Sequence, residues 1–129
     1  GFEQGLLGDI FDLSEILSDG YELFPLVALG SSPIANFSGG IIRLTGSDIS
    51  TAIDLSHSFK TGGGFETLSM SDGANALIIS ANSQSTGEDQ YIFSAESTDG
   101  QITIAQLAIL HGNFLDIDQW HIDNFSIFA

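Results

Sequence analysis

The sequence has no cysteine and very little positive charge. Of its 129 residues, 2 are Lys or Arg and 17 are Asp or Glu, which gives a formal net charge of −15. The absence of cysteine excludes disulfides, thiolate zinc sites and a cysteine nucleophile. The scarcity of Lys and Arg makes nucleic acids and anionic membrane surfaces poor partners, because proteins bind both through basic side chains.

Long apolar runs are also missing from the sequence. No apolar segment approaches the roughly 18 to 20 residues that a helix needs to cross a bilayer, so we expect no membrane span. Residues 1–20 lack the basic start and the apolar stretch of a cleaved secretion signal. If the chain is exported, we therefore expect its export signal to remain uncleaved.

The chain is nevertheless apolar enough to fold as one domain, residues 1–129. Hydrophobic residues make up 43% of it, and 10 phenylalanines supply large core side chains. Without disulfides, an extracellular domain must be stabilised by its core, by metal ions or by assembly. The acidic residues have two interpretations that composition leaves open: they keep the surface soluble, or they bind divalent cations through carboxylate oxygens.

Alternation of apolar and polar residues predicts strands, and it is strongest between Gln101 and Ala129. Turn-forming residues separate the candidate strands at intervals of about 8 to 12 residues. We therefore expect an all-β fold, an antiparallel β-sandwich of the jelly-roll kind. Within it, the tight turn at Ser97-Thr98-Asp99-Gly100 should join strands Gln90–Ala95 and Gln101–Leu110 as a hairpin.

One short helix is expected near the start of the chain. Apolar residues recur at helical spacing from Ile10 to Leu17, and Asp9 or Asp12 can cap the first turn. The segment from Ile49 to Phe59, in contrast, alternates apolar and polar residues and predicts a strand.

Acidic residues near the C-terminus form the first candidate calcium site. Asp116 and Asp118 are two residues apart, so on a strand both side chains point to one face. With Asp123 nearby in sequence, they would offer three oxygen ligands to Ca²⁺. The competing explanation is a solvent-exposed acidic strand.

Further candidate calcium ligands lie in the N-terminal segment and in the hairpin turn. Asp9 and Asp12, with Gly8 before them, are candidate ligands of a cation. Helix capping explains the presence of Asp12 equally well. Asp99 lies in a turn, where aspartate is common for backbone reasons alone.

The aromatic and histidine residues give few signals of catalysis. Trp120 is the only tryptophan; it would suit a sugar-stacking platform, although a lone tryptophan more often belongs to a core or an interface. The three histidines have no metal-ligand spacing, and adjacent Ser and His residues do not make a catalytic triad. We therefore expect a protein that is not an enzyme.

Three stretches resemble a known family. Asp9–Leu17 (DIFDLSEIL) resembles the segment that opens the C-terminal domains of calcium-binding, RTX-like proteins exported by type I secretion. Tyr91–Phe93 with Ile102–Leu110 is similar to the later part of such domains, in particular the bluetail class of cyanobacterial surface proteins. The ending Asp123–Ala129 is similar to uncleaved signals of this route. The resemblance implies an extracellular calcium-binding β domain, but no G-G-x-G-x-D nonapeptide is present from which calcium ligands could be assigned.

A second resemblance implies a different function. Trp120–Ile127 (WHIDNFSI) is similar to the last strand of jelly-roll carbohydrate-binding modules. On that alternative the partner is a polysaccharide, and Trp120 with neighbouring acids forms its site.

Self-assembly is the remaining expectation. The apolar residues Phe125, Ile127 and Phe128 at the end of the chain should lie in a core or against a partner. Arg43, one of only two Lys or Arg residues, has many possible acidic ion-pair partners and is a candidate intersubunit anchor. The sequence therefore predicts an extracellular or cell-surface structural domain that binds Ca²⁺ and forms a homo-oligomer or filament.

Overall fold

The computed structural model describes residues 11–12, 22–28, 36–37, 39–46, 48–85, 87–111, 116–121 and 124–126. Strands dominate this part of the chain, as predicted. They are β1 (Phe11–Asp12), β2 (Val27–Ala28), β3 (Asn36–Phe37), β4 (Gly40–Thr45), β5 (Ser69–Met70), β6 (Asn75–Ala81), β7 (Gln90–Thr98), β8 (Gln101–Leu110) and β9 (Phe125–Ser126). The helical elements are α1 (Ala52–Ser58) and a 3₁₀ helix (Ile117–Gln119).

The main sheet has five strands in the order β2-β4-β6-β7-β8. Strands β2, β4 and β6 run parallel, whereas β6, β7 and β8 are antiparallel neighbours. Short parallel pairs join β1 to β9 and β3 to β5. The sheet is therefore mixed, and the expectation of purely antiparallel pairing is wrong for β2, β4 and β6. A sandwich arrangement stays a prediction.

Strands β4 and β6 are buried on both faces. Every residue of β4 is buried, and so is every residue of β6 after Asn75. Continuous burial is typical of parallel strands that are covered on both sides, whereas alternation is typical of strands with one solvent face. Their sequences, GIIRLT and NALIISA, accordingly show little alternation.

Helix α1 replaces the strand that was predicted over Ile49–Phe59. The Oγ1 atom of Thr51 accepts a hydrogen bond from the backbone N–H of Asp54 at 3.1 Å, which caps the helix. Leu55 is buried against the sheet, but Ile53, which the strand prediction placed on the same face, is 67% exposed. The N-terminal helix prediction is wrong at Phe11–Asp12, which form β1; residues 13–20 lie outside the described residues.

Two apolar clusters cover the two faces of the sheet. The first lies under α1 and the chain that follows it. It includes Ile42, Leu44, Leu55, Phe65, Ile78 and Phe93. The second lies under the 3₁₀ helix and the C-terminal segment. It includes Ile41, Leu77, Ile79, Ile92, Ile117, Trp120 and Phe125. The C-terminal segment thus covers one face of the central sheet.

The predicted β7–β8 hairpin is confirmed, but its turn is tighter than predicted, because β7 continues through Ser97 and Thr98. Asp99 and Gly100 both have positive φ angles, 53° and 79°, as the two central residues of a type I′ turn require. Thr98 pairs with Gln101 on either side of this turn. The strand that follows, β8, lies at an edge of the main sheet.

Candidate functional site

Two of the acids that were predicted to bind calcium from one strand face lie at a 3₁₀ helix. Asp116 and Asp118 do not lie on a strand, because Ile117–Gln119 forms a 3₁₀ helix. The Oδ1 atom of Asp116 accepts a hydrogen bond from the backbone N–H of Asp118 at 2.8 Å and so caps this helix. The geometric basis of the predicted site, two carboxylates on one face of a strand, is therefore wrong.

The carboxylate of Asp118 faces Arg43 instead. The Nη1 atom of Arg43 lies 3.3 Å from Oδ1 of Asp118 and 3.2 Å from its backbone oxygen. Nη2 donates to the backbone oxygen of Phe24 at 2.8 Å. Burial lowers the pKa of Arg43, and the charge of Asp118 opposes that shift. Arg43 is only 6% exposed, so its guanidinium joins elements within one chain, which disfavours its expected role as an intersubunit anchor.

Of the other predicted ligands, the structure describes only Asp12 and Asp99, which lie in different elements. Asp9 and Asp123 lie outside the described residues, and Asp12 belongs to the short strand β1. Asp99 is exposed in the hairpin turn, where its backbone N–H donates to Oδ1 of Asp72 at 2.7 Å. Within the described ranges, no group of three or more acidic or histidine side chains is arranged to hold a metal ion. Calcium binding stays a prediction.

Trp120 lies in the core and not on the surface. Its side chain is 3% exposed, and its ring stacks on Phe125 with centroids 5.3 Å apart. The indole N–H donates to Oε1 of Gln90 at 2.7 Å. Burial leaves no ring face on which a sugar could stack, so Trp120 is not a carbohydrate platform in this structure.

The predicted assembly residues at the chain end are only partly described. Phe125 is buried and belongs to the second apolar cluster. It therefore belongs to the core of its own chain. Ile127 and Phe128 lie outside the described residues.

The most unusual exposed feature is the edge of strand β8, a strand that the sequence predicted but whose position at the edge of the sheet it did not. This edge strand is ten residues long, and its sequence, QITIAQLAIL, contains no charged residue, proline or glycine. No strand among the described residues pairs with its outer side. Leu107 and Ile109 are 42% and 43% exposed. The available signal was a neutral decapeptide in a chain of net charge −15.

Backbone hydrogen bonds show which groups of β8 point outward. The N–H of Ser97 donates to the oxygen of Ala74, and the oxygen of Ser97 accepts from Gly73. Ser97 therefore directs its backbone groups away from β8, and its cross-strand partner Ile102 must direct its own outward. By alternation the same holds for Ile104 and Gln106.

A cleft of about 400 Å³ adjoins the start of β8. It is lined by Ser56, Phe59, Lys60, Gly100, Gln101 and Ile102. Since Arg43 is buried, Lys60 is the exposed member of the two basic residues. The neutral edge and the exposed lysine thus lie side by side on a strongly acidic protein.

Comparison of the chain with protein-family models, with curated proteins and with solved structures found no match. The RTX-like resemblance and the carbohydrate-module resemblance therefore stay predictions. Among the described residues, no helix has both the length and the apolar character that a membrane crossing demands.

The geometry of β8 supports one kind of chemistry. An exposed strand with free N–H and C=O groups can add a strand from another chain, and the main-chain hydrogen bonds then supply affinity. Protein sheets usually prevent this with charge, proline or very short edge strands, and β8 has none of these.

Proposed function

We propose that this chain is a non-enzymatic, extracellular structural domain that binds calcium and assembles with copies of itself at a cell surface or in a matrix. One observation carries the proposal: the longest strand of the sheet is an uncharged edge. The chain has 17 acidic residues, yet none of them lies in β8. A neutral edge of this length favours strand addition from another chain.

Calcium would reduce the electrostatic repulsion between copies of the chain. Two chains that each carry a net charge of −15 repel one another strongly at low ionic strength. Ca²⁺ binds carboxylate and carbonyl oxygens and so reduces this charge where it binds. Dispersed surface carboxylates are sufficient for that effect. The resemblance to calcium-binding, RTX-like domains supports the same role, together with export by type I secretion.

The jelly-roll carbohydrate-binding module has less support. Its expected sugar platform, Trp120, is buried. Its expected antiparallel topology differs from the parallel pairing of β4 with β6.

The test is the solution mass by light scattering, in millimolar calcium and in a chelator. We expect a mass near the 13.7 kDa monomer in chelator and a larger mass in calcium. Sodium chloride at matched ionic strength is the control, because it screens charge without coordinating carboxylates. A folded monomer in all three buffers would contradict the proposal. Circular dichroism in the same buffers separates assembly from salt-dependent folding of an acidic chain.

A further inference from the structure

We propose that β8 pairs in antiparallel orientation with β8 of a second copy, which makes a two-fold symmetric dimer. The two five-stranded sheets would then form one continuous sheet across the interface. This rests on the proposed self-assembly and adds the surface, the partner and the register.

The distribution of charge favours a second copy of the chain as the partner of this edge. Acidic residues are abundant elsewhere, so most contacts between two copies would bring like charges together. Strand β8 is ten residues long and uncharged. Antiparallel pairing of β8 with itself therefore brings together two neutral strands without opposing carboxylates. Two identical surfaces can meet in this way only around a two-fold axis.

The register follows from the outward-pointing groups. Ile102, Ile104 and Gln106 direct their N–H and C=O groups away from β7, as shown above. Beyond them the regular edge ends, because the β7–β8 pairing shifts and leaves Leu107 without a cross-strand partner. The register that uses all three outward residues places the axis at Ile104. Ile104 then opposes itself, and Ile102 opposes Gln106 of the second copy.

Pairing of β8 with β8 limits the assembly to two copies. Once two β8 strands have paired, the outer edge of each is occupied, so this contact gives a dimer and not a fibre. The opposite end of each main sheet is β2, which has only two residues. Growth beyond the dimer would therefore need another surface.

Single-cysteine crosslinking tests the register, and the chain contains no cysteine to interfere. Opposed residues of a hydrogen-bonded antiparallel pair have Cα atoms about 5.5 Å apart, within the range of about 4.4–6.8 Å that a disulfide spans. We expect Ile104→Cys to form a covalent dimer on mild oxidation in calcium. Ile102→Cys should not, because its two copies would lie about 13 Å apart along the strands. A mixture of Ile102→Cys with Gln106→Cys should crosslink.

A charge variant tests the edge without cysteine. Thr103→Glu with Ala105→Glu places glutamates directly opposite each other across the proposed interface, on exposed positions. The matched control, Asn82→Glu with Gln84→Glu, adds the same charge at exposed positions outside β8. We expect the control to keep a mass of twice 13.7 kDa in calcium and the edge variant to be a folded monomer.

The outcomes separate this inference from the proposed function. If the wild-type chain stays monomeric in calcium, self-assembly itself fails, and the β8 pairing fails with it. If the wild type assembles but the edge variant assembles equally well, only the β8 inference is overturned, and another surface or another strand is the partner. If assembly depends on the edge but Ile104→Cys does not crosslink, the proposed register is wrong.

Discussion

The guanidinium of Arg43 lies 3.3 Å from the carboxylate of Asp118, a residue 75 positions later in the chain. This contact joins the 3₁₀ helix to β4, an interior strand of the main sheet. The same guanidinium bonds the backbone oxygen of Phe24, so a single side chain joins three segments. Arg43 therefore has an internal role, because it holds the 3₁₀ helix against the main sheet.

We predict that Arg43→Met lowers the free energy of unfolding by about 2 to 3 kcal/mol, because hydrogen bonds from a charged donor to carbonyl and carboxylate oxygens are lost. Asp118→Asn should cost less, about 1 kcal/mol, since the Asp118 side chain is half exposed and its backbone oxygen still accepts from Arg43. Urea denaturation followed by circular dichroism measures both. Equal costs for the two variants would contradict this ranking.

Trp120 gives a second prediction through its bond to Gln90. Trp120→Phe removes the N–H that donates to Oε1 of Gln90 at 2.7 Å and leaves a smaller ring in the core. We expect the free energy of unfolding to fall by about 2 to 4 kcal/mol, because the variant removes a buried hydrogen bond and reduces packing in the core. Urea denaturation measures this change.

The same residue reports on carbohydrate binding. Since Trp120 is the only tryptophan and is buried, its fluorescence should be blue-shifted in the folded chain and red-shifted in urea. Polysaccharides should leave the folded spectrum unchanged. A spectral change that saturates with a saccharide would reopen the carbohydrate-module alternative.

Local signals in the sequence predicted the β7–β8 hairpin, because a type I′ turn needs residues that tolerate positive φ and Asp99-Gly100 supplies them. They failed at Ile49–Phe59. There the alternation of Ile49, Ile53 and Leu55 resembled a strand, but Ile53 faces solvent. The capping residue Thr51 was the signal for a helix.

Long-range pairing was harder to predict than local structure. Nothing in β4 or β6 specifies that they are parallel neighbours, and only their continuous burial indicates coverage on both faces. The strand geometry of the candidate calcium site failed for a related reason. Asp116 and Asp118 alternate like strand residues, yet Asp116 caps a 3₁₀ helix that contains Asp118, and the carboxylate of Asp118 lies beside Arg43.

The hairpin turn gives a third prediction. Asp99 has a φ of 53°, where a β-branched residue costs roughly 1 to 2 kcal/mol relative to one that accepts the left-handed region. We expect Asp99→Val to destabilise by this amount and Asp99→Gly to be tolerated. Because both variants remove the same carboxylate, isothermal titration with calcium on the pair also tests Asp99 as a ligand. Calcium affinity that falls in both would support that assignment, whereas unchanged affinity would exclude it.

The start of α1 gives a prediction about pH. The backbone N–H of Ser50 and the Thr51 cap lower the pKa of Asp54 from its ordinary value of 3.8. A carboxylate with a depressed pKa stabilises the folded state above its unfolded pKa, and this contribution is lost as the pH falls through the folded-state value. Asp54→Asn should therefore remove part of the stability at neutral pH and little of it at low pH. The difference in unfolding midpoint between wild type and variant, measured across this range, isolates Asp54 from the other acids. Because those acids titrate in both proteins, a difference that does not shrink as the pH falls would contradict the assignment.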